Sequence, residues 1–384
     1  MKAIEADKSA GSALDREHPA LFSPIALRRV ELANRIVYSP MGQYMADRSG
    51  AATEWHKIHL GMMALSGAGL VFTEAAAVAP LGRDAPTSLG LWTDEHEEAL
   101  AGVIETCRRY APAKHAIQLW HAGRKGSMDI PWHGWRQLPE GEGGWPLTAP
   151  SEIGFPGRTN RLTVPTADVL AEIADQFAQS ARRAARIGYD VLEIHCAHGY
   201  LLHSFLSPIS NKREDDFGGS LESRMRFPLQ VVAAVRQAWP SERPLGVRVS
   251  ATDWIEGGWS LEDTIGFCSR LEALGCDYVT ASSGGSDPGQ KIALYPGYQA
   301  DFAAEIRRAT GLATMAVGLI TDPGHAEYLV KSGKADMIAL GRGLLRDPRW
   351  PWTAAEVLGG KISHPDQYMR AGKTVWRYSS ALKR

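Results

Sequence analysis

Only four cysteines occur in 384 residues, Cys107, Cys196, Cys268 and Cys276, and no two are spaced as CxxC. That scatter excludes a zinc ribbon or a disulfide framework and fits a reducing compartment. Neither charge is in surplus: 42 Lys and Arg stand against 43 Asp and Glu, so neither nucleic acid nor an anionic membrane is an expected partner. The opening MKAIEADKSAGS has no apolar core and does not read as a secretory signal. The apolar-looking stretch 62–80 is broken by Ser66, Thr73 and Glu74, so it does not read as a membrane span. Internal repeats and a Walker loop are absent. The G-A-G-L-V-F at Gly67 lacks the third glycine of a dinucleotide fingerprint and precedes a strand rather than a helix. The expectation is a soluble, cytoplasmic protein that handles a small polar metabolite or cofactor and holds no metal.

What is present is a rhythm. The composition, 44% hydrophobic and 22% charged, is that of an ordinary globular protein. From Leu21 short apolar runs alternate with longer segments of helical period. Strands are expected over 35–38, 70–74, 116–120, 191–195, 245–250, 278–282, 313–317 and 337–340. Helices are expected over 94–110, 167–187, 221–239, 261–274, 299–310, 323–331 and 348–358. In 167–187, Leu170, Ile173, Ala174, Phe177, Ala178, Ala181 and Ala185 recur every three or four residues behind Thr166 as N-cap. Eight short buried strands alternating with helices predict an α/β fold: one closed parallel (β/α)8 TIM barrel over residues 21–358.

The segment 122–165, rich in Gly, Pro and Trp (Trp132, Trp135, Trp145), interrupts the rhythm after the third strand. A long insertion there is expected to form a lid over the active face. Residues 1–20 are polar and small and are expected to be poorly ordered. Residues 359–384 form a C-terminal extension with Tyr368, Arg370, Trp376, Arg377 and Tyr378.

Active groups of such a barrel come from the carboxyl ends of its strands. The fourth end is the densest, with His195, His198, Gly199 and Tyr200 within six residues: two imidazoles and a phenol able to orient a carbonyl and supply a proton. The first end reads S-P-M-G-Q-Y (Ser39–Tyr44), the second gives Glu74 and Ala75, and the third I-Q-L-W-H-A-G-R-K (Ile117–Lys125). In the fifth, Arg248 interrupts an apolar run; a structural ion pair inside the barrel is disfavoured because no acid sits nearby in the strand. The last three ends carry Gly284 and Gly285, Gly318, and Gly341 with Arg342. Glycines after three successive strands, closed by an arginine, suit a phosphate cradle.

Together these strand ends resemble the old yellow enzyme family of FMN-dependent ene-reductases, most of all its bacterial thermophilic-like subclass. The most specific pieces are H-A-G-R-K, H-x-A-H-G-Y-L followed by F-L-S-P-x-x-N-x-R, F-G-G-S-L-E-S-R (Phe217–Arg224), P-G-Y-Q (Pro296–Gln299) and G-R-x-L-L-R-D-P (Gly341–Pro348). The resemblance implies FMN across the barrel mouth, its phosphate on Gly284, Gly285, Gly318, Gly341 and Arg342. Ser39, Pro40, Met41, Gly42, Ala75, Gln118 and Arg248 would hold the ring system, with NADPH or NADH as reductant. It further implies that His195 and His198 bind the carbonyl oxygen of an α,β-unsaturated substrate, that Tyr200 protonates its α-carbon, and that Tyr44 lines the substrate pocket. Arg370 would reach in from a neighbouring subunit of a homodimer or homotetramer; a solvated tail arginine is the plainer reading.

Two positions depart from the family pattern. Gly42 stands where the subclass carries a flavin-tuning cysteine, and Trp120 stands before His121 where a small residue is common, either narrowing the pocket or packing outside it. Cys196 is expected to face away from the site on strand parity. Two other readings compete: a metal-dependent barrel hydrolase using His56 and His59 with His195 and His198, and a flavin-binding protein with little turnover because of Gly42.

Overall fold

The computed structural model of the protein describes residues 18–371. Eight strands close into one parallel ring: β1 (Ile36–Tyr38), β2 (Leu70–Ala77), β3 (Lys114–Trp120), β4 (Val191–Cys196), β5 (Leu245–Ser250), β6 (Tyr278–Ser282), β7 (Ala313–Val317) and β8 (Met337–Leu340). Pairing of β8 with β1 leaves no free edge, as the expected TIM barrel requires. The strands are covered on both faces and read as largely apolar runs, broken by inward polar residues such as Glu193, His195 and Arg248.

Around it run α1 (Glu54–Ala64), α2 (Asp94–Tyr110), α3 (Ala167–Ile187), α4 (Leu201–Leu206), α5 (Leu221–Ala238), α6 (Leu261–Ala273), α7 (Ala300–Ala309), α8 (Pro323–Lys331), α9 (Arg342–Arg346) and α10 (Trp350–Leu358). Thr166 caps α3 by accepting the Val169 N–H. The sequence pattern does not announce α1, because its outer face is apolar too. Trp55, Ile58 and Met62 are exposed opposite buried Leu60 and Met63, so no single stripe stands out.

β2 runs three residues past its expected end. A bulge at Glu74 shifts the register, so that Thr73 faces Ile117 but Ala75 faces Gln118, and Ala75–Ala77 then pair as far as Trp120. An antiparallel hairpin, Ile25–Leu27 with Val30–Leu32, precedes the barrel and was too short to show a period. Leu27, Val30 and Leu32 pack with the inward residues Val37, Phe72, Val191, Tyr278 and Met337, closing the barrel floor. The Ala20 and Leu21 N–H groups both donate to Glu327 of α8 at 2.8 Å, pinning the described chain from its start. The rest of the N-terminal tail, and Trp376, Arg377 and Tyr378, lie outside the described residues. Among the described residues no helix is long and apolar enough to cross a membrane.

Candidate active site

Strand alternation sets the site. Along β4, Glu193 and His195 share the inner face of the barrel, while Cys196 turns outward into the core between strands and helices, beside Cys268 and Cys276. Burial pushes all three thiols up, so they are inert there.

After β4 the chain makes a left-handed turn, with φ +60 at His198 and +71 at Gly199. A side chain at 199 would meet the Gly285 carbonyl oxygen at 2.4 Å, so only glycine fits. His198, not a glycine, is held in this region by its neighbours. Its N–H donates to Ser250 Oγ at 2.9 Å, and the Gly199 N–H donates to His203 Nδ1 at 2.8 Å. Since a backbone N–H only donates, neutral His203 carries its proton on Nε2, which faces Asp253 Oδ1 at 3.3 Å; both residues are fully buried. Asp253 Oδ2 in turn accepts from Ser207 Oγ (2.5 Å) and the Trp259 N–H (2.9 Å).

The turn presents His195, His198 and Tyr200 to one cavity, also lined by Gly42, Tyr44, Ala75, Asp84, Gln118 and Trp120. His195 Nε2 and His198 Nδ1 lie 3.2 Å apart. Burial, reinforced by the charge of Arg248, drops both imidazoles well below their ordinary pKa, so both are neutral at neutral pH. Burial and then the charge of Asp84 push the Tyr200 phenol up, so it stays protonated. The Tyr200 ring stands edge-on to His195 (5.1 Å) and to Trp120 (4.6 Å), which places Trp120 inside the pocket, narrowing it. Lys125 Nζ lies 4.9 Å over the same ring and donates to His198 O and Gly285 O at 2.8 and 2.9 Å. The insertion reaches this site: Phe155 sits under Lys125, and Trp132 and Trp135 abut Tyr44 edge-on.

A second cavity shares Pro40 and Arg248 with the first and is lined by Ser39, Met41, Gly318, Gly341 and Arg342. Gly284 and Gly285 line neither; their N–H groups are taken by Thr252 O and Gln290 Oε1 at 2.8 and 2.6 Å. Arg370 is exposed in the short helical turn Asp366–Ala371 and also lines neither.

Besides Asp253, two buried acids escaped the sequence reading. Glu193 accepts from Gln118 Nε2 (2.6 Å) and Thr280 Oγ1 (2.5 Å), and its charge opposes the lowering of the Arg248 pKa by burial. The acid missing from the Arg248 strand is thus supplied by the neighbouring one, where Glu193 shares parity with His195; that parity was its one signal. Asp84, whose carboxyl burial pushes up, accepts from Ser88 Oγ (2.5 Å) and Tyr44 OH (3.2 Å). Nothing in its loop marked it.

His56 and His59 are engaged elsewhere: His56 Nε2 meets Glu74 Oε1 at 3.1 Å and His59 Nε2 meets Tyr38 OH at 2.8 Å. Among the described residues no three His, Cys, Asp or Glu gather as a metal would need.

A profile of the NADH:flavin oxidoreductase / NADH oxidase family matches residues 20–359. The chain belongs to this family, that of the old yellow enzymes. An NADPH dehydrogenase of Geobacillus sp. (strain WCH70) is 43% identical over 359 residues, 93% of this chain and 99% of the relative. One from Bacillus subtilis (strain 168) is 42% identical over 351 residues, 91% and 98% of the two chains. Among solved structures, morphinone reductase superposes with a TM-score of 0.74 at 28% identity, covering 92% of this chain and 93% of its own; it has also been solved with tetrahydroNAD. A 2-naphthoyl-CoA reductase gives 0.80 at 25% identity over 88% of this chain, which spans about half (52%) of that longer reductase. This old yellow enzyme family member differs from the subclass pattern at Gly42, and the structure shows what fills the space: a Cβ there would meet the Tyr44 ring at 3.1 Å.

Proposed function

We propose that the protein is an NADPH-dependent ene-reductase, with FMN as its prosthetic group, reducing the activated C=C bond of α,β-unsaturated carbonyl compounds. The observation that carries the proposal is the pair of neutral imidazoles, His195 and His198, aimed at one point beside a protonated phenol, Tyr200.

The residues fit FMN. Arg248 Nε is buried without a hydrogen-bond partner, as a donor awaiting an acceptor would be. At Gly318, φ is +121 and a Cβ would meet Gln299 Nε2 at 2.7 Å, so the backbone is left bare beside Gly341 and Arg342. Ser39, Pro40, Met41, Gly42, Ala75, Gln118 and Arg248 would hold the ring system; Gly318, Gly341 and Arg342 would hold the phosphate. Bound there, FMN would supply two-electron hydride chemistry between NADPH and the substrate β-carbon.

The chain's own groups do the rest. His195 and His198 donate hydrogen bonds to the carbonyl oxygen, drawing electron density from the double bond. Tyr200 gives its proton to the α-carbon. Gln118, its amide donating to Glu193, lines the cavity and would offer the ring system a carbonyl acceptor and a second N–H donor. Arg248 offsets negative charge where the two cavities meet. Tyr44 and Trp120 bound the substrate, with Arg370 of a neighbouring subunit of a homodimer or homotetramer. The four free, buried cysteines accord with a cytoplasmic setting.

The visible spectrum of purified protein tests the reading. Bands of bound flavin should bleach anaerobically with NADPH and return on adding 2-cyclohexenone. Colourless protein after FMN reconstitution would overturn it.

A further inference from the structure

Three imidazoles lie between positions 195 and 203, and the backbone dictates the tautomer of two. His195 Nδ1 receives the Ala197 N–H at 3.1 Å and His203 Nδ1 that of Gly199 at 2.8 Å, so both carry their proton on Nε2. His198 has no such fixed partner. Its Nδ1 faces His195 Nε2 at 3.2 Å, and its Nε2 faces the Ser282 hydroxyl at 2.7 Å.

A hydroxyl donates or accepts according to how it is turned. Ser282 has two acceptors for its O–H: His198 Nε2 and, at 3.4 Å, Gln299 Oε1. Gln299 is itself fixed, donating Nε2 to Val317 O (2.9 Å) and accepting from Ser283 Oγ (2.7 Å), so its oxygen always offers an acceptor. Two self-consistent states follow. In the first, protons run one way: His195 Nε2–H to His198 Nδ1, His198 Nε2–H to Ser282, Ser282 O–H to Gln299. Here His198 has no proton facing the cavity and serves no carbonyl. In the second, Ser282 donates to His198 Nε2 and the imidazole proton sits on Nδ1. His195 Nε2–H and His198 Nδ1–H would then oppose each other at 3.2 Å unless an acceptor stands before both.

We propose that Ser282 is the positioning residue that sets the tautomer of His198, so that two imidazole N–H groups converge on the substrate oxygen only when that oxygen is present. The inference rests on the carbonyl-reducing reading above. Charge balances within the ring: His198 loses a proton from Nε2 and gains one on Nδ1 through solvent, to which it is partly exposed, and Ser282 only turns its hydroxyl.

Ser282→Ala removes the hydroxyl and Ser282→Thr keeps it. In Ser282→Ala holoenzyme, flavin content and reduction by NADPH should stay within about twofold of wild type. Reoxidation by 2-cyclohexenone should slow by about tenfold or more, and Ser282→Thr should recover to within about threefold. In ¹⁵N-histidine-labelled oxidised holoenzyme, saturating 2-cyclohexenone should move the His198 proton from Nε2 to Nδ1, and the alanine variant should lose this shift. Normal reoxidation in Ser282→Ala, or His198 still protonated on Nε2 with the enone bound, overturns the tautomer assignment alone. If reduced wild-type enzyme is never reoxidised by the enone, the ene-reductase reading falls and takes this inference with it.

Discussion

The Tyr44 ring stands where a side chain on residue 42 would go: a Cβ at Gly42 lies 3.1 Å from Tyr44 Cζ and 3.2 Å from its hydroxyl. Gly42→Ala should therefore displace Tyr44 from Asp84, at a cost of about 1 kcal/mol in urea denaturation. Tyr44→Ala should relieve the crowding, so the pair should show a coupling energy of about 0.5 kcal/mol or more. Strict additivity would mean that the two positions do not contend for the same space.

Among the described residues, Glu193 is the one buried acid whose charge opposes the burial of Arg248. Glu193→Ala should destabilise the fold by about 3–5 kcal/mol, because it leaves a buried guanidinium uncompensated and frees the Gln118 amide. FMN affinity should fall as well. Equilibrium denaturation and flavin titration measure the two effects, and a variant as stable as wild type would remove Glu193 from this role.

Tyr200→Phe should bind flavin and be reduced by NADPH as wild type is. Alkene turnover should drop by about 10²-fold or more, the scale of a lost general acid. Stopped-flow measurement of the two half-reactions separates them, and undiminished turnover excludes Tyr200 as the proton donor.

Burial lowers the Lys125 pKa from 10.5 to about 7, with Arg158 and Arg124 adding to the shift. Between these values the unfolded chain binds a proton that the folded one does not, so this group makes stability rise with pH. Below about pH 7 both states are protonated and the full cost of burying the ammonium is felt. Lys125→Met removes the titration: the stability difference between wild type and variant should shift toward wild type from pH 7 to pH 9.5. Urea midpoints that move in parallel for both proteins would contradict it.

The Gly199 N–H needs an acceptor, and His203 Nδ1 is that acceptor. His203→Asn places an amide oxygen at the same position and should keep alkene turnover within about threefold. His203→Leu offers no acceptor, and hydrogen exchange across 198–203 should quicken by about tenfold or more. Equal exchange in the two variants would show that this bond does not hold the turn.

Much of this was legible in the chain. Strands covered on both faces leave largely apolar runs, and so β5, β6, β7 and β8 fall where the runs do. His195, His198 and Tyr200 were visible because three proton-bearing groups crowd one strand end. Glu193 and Asp84 were not, since a single acidic letter does not reveal whether it is solvated or sealed. The helix α1 was hidden by apolar residues on its outer side, and the extra length of β2 by a bulge that only the register with β3 exposes. The filling of the Gly42 space depends on where Tyr44 turns, with φ +54, which no local pattern encodes.

The hairpin of Leu27, Val30 and Leu32 stoppers one end of the barrel. With that end sealed by side chains, a molecule that reacts at His195, His198 and Tyr200 must reach them from the face of the barrel on which both cavities lie.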